Sequence, residues 1–175
     1  ALKNNIKFNK LGSDLAVTGE NLYIGDSNLN GHKLSVTGNA TMYADVDLQG
    51  GEWKVTGNLR QTYGILYVNG GKLTVDGDYG IYRTRKNSTT GDTEIDDTSG
   101  YLKMVKAADS VMVGGNLTVC INKDTRGYLT AGTLVLKGNF RQVQLYNTSG
   151  SVYEHTAYGF CATGTHTTIL AGEGT

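Results

Sequence analysis

The sequence predicts an all-β chain: a parallel β-solenoid (β-helix) of about seven coils, with a period of about 19–20 residues, three short strands per coil and one inserted loop. Three observations carry this. First, a phrase recurs, most plainly as Trp53-Lys54-Val55-Thr56-Gly57-Asn58 and Leu73-Thr74-Val75-Asp76-Gly77-Asp78, and again from Leu15 to Glu20, Leu34 to Asn39, Val111 to Asn116 and Leu134 to Asn139. Second, its glycines stand at 19, 38, 57, 77, 115 and 138, at intervals of 19, 19, 20, 38 and 23, so that the interval of 38 is one coil carrying an insertion. Third, 25 glycines, 11 tyrosines and no proline suit corners joined by pleated backbone whose N–H groups all enter a ladder.

Within each repeat the apolar residues alternate with polar ones. Leu15 and Val17, Leu34 and Val36, Trp53 and Val55, Leu73 and Val75, Val111 and Val113, and Leu134 and Leu136 therefore point inward. Two residues beyond the glycine, Ala40, Leu59, Tyr79, Leu117 and Phe140 are expected to resume the inward face after a corner. A third inward position, Leu29, Leu48 and Leu129, precedes glycine-bearing turns, and Leu66 and Leu102 are expected to hold the same place. Stacking at about 4.8 Å per coil gives a rod of roughly 35 Å. The residues after the anchor glycines, Glu20, Asn39, Asn58, Asp78, Asn116 and Asn139, form a corner column whose side chains can hydrogen-bond along the rod. Residues 1–175 are expected to be a single domain, with 84–99 as an inserted loop and 144–175 as an irregular last coil or cap.

Sixteen basic and sixteen acidic residues balance, which disfavours nucleic-acid binding. The basic run Arg83 to Lys86 is answered by the acidic run Asp92 to Asp97. No apolar run reaches the length of a membrane span, and no signal peptide is evident. The chain begins without Met and ends within the pattern, and is expected to be a piece of something longer. Cys120 and Cys161 are too few for a disulfide framework; one cross-link and two separate thiols both remain open.

Several residue sets carry possible chemistry. Tyr23, Tyr43, Tyr63 and Tyr82 recur at intervals of 20, 20 and 19, and coils in strict register would stack them into an aromatic strip suited to a polysaccharide or protein partner. The bland alternative is that these rings pack on one another. Asp92, Glu94, Asp96 and Asp97 offer oxygen ligands for Ca²⁺, without EF-hand spacing. Asp45 with Asp47, and Asp76 with Asp78 beside Arg83 and Arg85, are carboxylate pairs of the kind that polysaccharide-cleaving β-helix enzymes use, but nothing in their spacing fixes them together. An enzyme is therefore not expected, and no cofactor beyond calcium. His155, Cys161 and His166 lack the spacing of a zinc site and a third group to orient a Cys-His nucleophile.

The stretches VTGNLRQTYGILYVNGGKLTVDGDY and GYLTAGTLVLKGNFRQ, with Leu59-Arg60-Gln61 echoed by Phe140-Arg141-Gln142, resemble the β-solenoid repeat segments of large secreted or cell-surface bacterial proteins. The resemblance spans Leu15 to Gln142 and lies in the repeat grammar. It implies an extracellular stalk, adhesin or substrate-binding segment without catalysis, and it carries over no functional residue. The threonines at 18, 37 and 56 are similar to an ice-binding column, but Asp76, Gly114 and Lys137 interrupt it. The expected function is a non-catalytic structural or adhesive module. The alternative is a carbohydrate-binding module using the tyrosine face, and the third reading is a polysaccharide lyase or hydrolase. Further coils or end-to-end association are expected at the rod's open edges.

Overall fold

The computed structural model describes residues 4–145 and 158–172. The described chain contains no helix and winds as a parallel β-solenoid of about seven turns. Each coil contributes to three faces. The first holds the repeated phrase: Lys33–Met42 begins on it and pairs in parallel with Leu15–Asn28 on one side and Glu52–Val55 on the other. The series continues through Lys72–Val75, Ser110–Val113, Thr133–Leu136 and Thr167–Leu170. The middle face stacks Leu59–Gln61, Tyr79–Ile81, Leu117–Val119 and Phe140–Gln142 on the second halves of the two long strands. The closing face stacks Val46–Asp47, Ile65–Tyr67 and Tyr101–Lys103.

Alternation fills the bore as the sequence requires. Leu34, Val36, Trp53, Val55, Leu73, Val75, Val111, Val113, Leu134 and Leu136 are all wholly buried. Burying side chains of this size stabilises the fold by about 1.5–3 kcal/mol each. On the closing face the column ahead of the turns runs Leu29, Leu48, Val68, Met104 and Leu129. Leu66 and Leu102 are one inward position earlier, Leu66 paired with Val46 and Leu102 with Leu66, which corrects their expected place. Trp53 carries one cost: its indole N–H is buried without an acceptor.

Two devices turn the corners. Between the closing and first faces, Asn30-Gly31, Gln49-Gly50 and Asn69-Gly70 all have positive φ. The N–H of His32, Gly51 and Gly71 closes each turn on the carbonyl of Leu29, Leu48 and Val68 at 2.7–2.9 Å, the pattern of a type I′ turn. Between the first and middle faces runs a side-chain ladder. Oδ1 of Asn39 accepts the N–H of Asn58 at 2.8 Å, Asn58 accepts that of Asp78 at 2.8 Å, Asp78 accepts that of Asn116 at 2.7 Å, and Asn116 accepts that of Asn139 at 2.9 Å. The register places Asn21, not Glu20, opposite Asn39, because an irregularity between Thr18 and Asn21 inserts one residue.

The insertion is more ordered than a loop. Arg83–Lys86 and Thr93–Asp96 form an antiparallel hairpin in which Arg83 faces Asp96 and Arg85 faces Glu94. It leaves the coil at the end of the middle face and returns at Tyr101 on the closing face, so Ser110–Val113 still pairs directly with Lys72–Val75. At the far end, Thr167–Leu170 is a regular first-face strand within the stretch expected to be irregular. Its inward Leu170 is 70% exposed, and its outer edge has no strand partner among the described residues.

Candidate functional site

The register decides where the four tyrosines lie. On the middle face Ile24, Met42, Gln61 and Ile81 are mutual partners, at separations of 18, 19 and 20 residues. Tyr23 precedes this row, Tyr43 and Tyr82 follow it by one residue, and Tyr63 follows it by two. The rings therefore occupy three positions and do not form one column. Tyr43 and Tyr82 share a position two coils apart, with Thr62 between them. The Tyr43 ring lies over Gly25 of the preceding coil. Tyr63 is 43% exposed and receives the Arg83 guanidinium, which donates from Nη1 to its hydroxyl at 2.6 Å and lies 5.3 Å from the ring centroid. That bond raises the Arg83 pKa and fastens the hairpin to the coil below.

Glu94, Asp96 and Asp97 are taken up by basic and amide partners, whereas Asp92 accepts the Asn87 N–H through its backbone carbonyl. Arg83 pairs with Asp96 at 3.6 Å and Asp97 at 3.3 Å, Arg85 with Glu94 at 3.6 Å, and Asn87 donates to Glu94 at 2.6 Å. Among the described residues no three His, Cys, Asp or Glu side chains are grouped to hold a metal ion. The other carboxylates are tied into the scaffold. Asp45 accepts the N–H of Ile65 at 2.8 Å, Asp47 that of Gln49 at 2.9 Å, and Asp76 pairs with Lys54 at 3.3 Å. Cys120 and Cys161 are free thiols. His166 bonds through Nδ1 to the Ala131 carbonyl at 3.0 Å, and His155 lies outside the described residues.

Two features went unforeseen. Gln61, expected only as part of a repeated Arg-Gln pair, is fully buried at the end of the middle face. It accepts the Tyr79 hydroxyl at 2.6 Å and donates to the carbonyls of Gly64 at 2.6 Å and Tyr101 at 3.0 Å. Burial pushes the Tyr79 hydroxyl far above its usual pKa, keeping it a donor; burial first, then a bond with Tyr128, pushes Tyr101 up to about 12.

The second is a groove of about 330 Å³ along the outside of the middle face, between the asparagine ladder and Tyr82. Its floor is the outward row Tyr23, Thr41, Arg60, Gly80 and Thr118, which are register partners. Gly80 makes the groove. A Cβ there would meet the Tyr82 ring at 2.4 Å, so the absent side chain lets the ring lie down against the strand. Beside it Arg60 is half-buried and, among the described residues, has no ion pair or side-chain hydrogen bond. The sequence signal was small but present: Tyr79-Gly80-Ile81 breaks a row in which the other coils carry Tyr, Thr or Arg.

Fold and groove together define a β-solenoid repeat protein with a laterally displayed depression. No protein-family model matches the chain, and no curated protein or solved structure matches it. Among the described residues no helix is long and apolar enough to cross a membrane.

Proposed function

We propose that this chain is a non-catalytic structural and adhesive module of a secreted or surface-attached bacterial protein, a rod that carries neighbouring segments and offers its sides for contact. The observation that supports this most is how the polar groups are spent. The carboxylates weighed for catalysis, Asp45, Asp47, Asp76 and Asp78, hold backbone N–H groups or a lysine of the scaffold, the work of a chain built to stack. The edge of Thr167–Leu170, unpaired among the described residues, and its exposed Leu170 suit continuation into a further coil or contact with another rod.

Adhesion under flow tests the reading. Beads coated with the chain are expected to be retained on cells or extracellular matrix above bare beads, while the chain releases no reducing ends from polysaccharides. Retention equal to bare beads, or release of reducing ends that survives repurification, overturns it.

A further inference from the structure

Three depressions among the described residues differ in how their charged groups are disposed. In the one over the glycine turns, Lys33 pairs with Glu52 and His32 with Asp14, and the ammonium of Lys72 at its exposed rim has no ion pair among the described residues. In the one beside Tyr67, Asp26 pairs with Lys7, while Asp45 and Asp47 hold backbone N–H groups. Among the described residues, the groove on the middle face holds a guanidinium, that of Arg60, without a protein partner.

The groove's wall is equally suggestive. The ladder uses Oδ1 of Asn58 and Oδ1 of Asp78, which leaves Nδ2 of Asn58 as a donor and Oδ2 of Asp78 as an acceptor, one coil apart. Opposite them the Tyr82 ring lies on Gly80. A planar fork of donors, an alternating amide and carboxylate, and an aromatic face within one cleft match the alternating hydroxyls and apolar C–H surface of a sugar. Arg60 and Asp78 cancel in charge, which favours a neutral ligand over an acidic one. The volume is at the lower end of the range for ligand sites, about 300–1,000 Å³, and the coil spacing of about 4.8 Å is close to the advance of one unit along an extended glycan.

We propose that this groove is a subsite for a neutral polysaccharide. Arg60 and Asn58 donate to its hydroxyls, Asp78 accepts from one, and Tyr82 supplies the platform for a sugar ring. The assignment rests on the reading of the chain as an adhesive module and gives that module its ligand class. It replaces the four-ring strip with two of its rings, Tyr23 and Tyr82, and one arginine.

The test is affinity electrophoresis and pull-down of the full chain against cellulose, xylan, mannan and mixed-linkage β-glucan, with polygalacturonate and alginate as the acidic arm. Retention by at least one neutral polysaccharide is expected, weakened at least tenfold by Arg60→Met and by Tyr82→Ala and unchanged by Tyr63→Ala. Arg60→Met keeps the aliphatic stem of a residue on the outer face, so a wild-type melting curve for it secures the result should Tyr82→Ala fold poorly. No retention on any neutral polysaccharide, binding confined to the acidic arm, or wild-type affinity in Arg60→Met overturns the assignment. If beads still adhere under flow without glycan binding, the groove assignment fails and the adhesive reading stands.

Discussion

Replacing Gln61 by leucine removes a side chain on which three parts of the rod converge. Its amide receives the Tyr79 hydroxyl of the next coil, holds the Gly64 carbonyl of its own coil, and holds the Tyr101 carbonyl where the chain returns from the hairpin. Leucine is similar in bulk and apolar, so the loss is one of hydrogen bonds more than of packing. The Tyr79 hydroxyl, fully buried, is left without an acceptor at a cost of about 1–3 kcal/mol. Gly64 keeps the N–H of Tyr101 at 3.1 Å and the Tyr101 carbonyl keeps its place in the parallel ladder with Ile65–Tyr67, so the two lost amide bonds bring the total to about 2–4 kcal/mol. In a chain of this size that lowers Tm by roughly 5–15 °C. Tyr79→Phe alone costs about 1–2 kcal/mol. The double substitution leaves no orphaned hydroxyl and recovers about 1–2 kcal/mol relative to the sum of the singles. Urea denaturation of the four proteins measures the cycle. A Gln61→Leu protein within about 0.5 kcal/mol of wild type, or a strictly additive double, refutes the role given to this amide.

Other consequences follow from the corner ladder and the thiols. Asn58→Ala leaves the N–H of Asp78 without its side-chain acceptor and is expected to cost about 1 kcal/mol in denaturant melts, whereas Asn58→Asp, which copies the role of Asp78 one coil on, stays within about 0.5 kcal/mol. Cys120 is wholly buried and Cys161 is partly exposed, so maleimide at pH 8 should label Cys161 in the folded chain and reach Cys120 only on unfolding. Burial, with the nearby Asp97 and Asp96, pushes the Cys120 thiol from 9.0 up to about 11. The folded state thus holds this proton more tightly than the unfolded chain, and the associated stability is complete below pH 9 and lost as pH rises to about 11. Denaturation between pH 8 and 11 should show this loss in wild type and a smaller one in Cys120→Ala.

The repeat made the scaffold legible because a buried strand states its register in its own residues. Leu34 or Val55 facing outward would strand an apolar side chain in water, so alternation alone fixes their direction. The outer surface states nothing comparable. Tyr43 and Tyr63 are 20 residues apart while the nearby register partners Met42 and Gln61 are 19 apart, and that single residue moves Tyr63 out of the row and into the grip of Arg83. A nearly constant interval in sequence is thus a poor guide to alignment once coils differ in length by one or two residues. The hairpin was hidden for another reason: its order comes from cross-strand pairing of Arg83 with Asp96 and Arg85 with Glu94, which a polar composition conceals. The groove depends on a side chain that is missing, at Gly80, and becomes visible only when its register partners Arg60 and Thr118 are known.

In-register stacking underlies both the core and the groove, and cross-linking tests it most directly. Ser35, Lys54 and Thr74 are outward-facing register partners in three successive coils. Neighbouring coils stand about 4.8 Å apart, within the Cα separation of about 4.4–6.8 Å that a disulfide spans, whereas two coils are roughly 9.6 Å apart. In a Cys120→Ala, Cys161→Ser background, the pair Ser35→Cys and Lys54→Cys is expected to oxidise readily to a bond seen in the peptide map, and the pair Ser35→Cys and Thr74→Cys to stay reduced. Oxidation of the second pair in preference to the first would contradict the stacked solenoid.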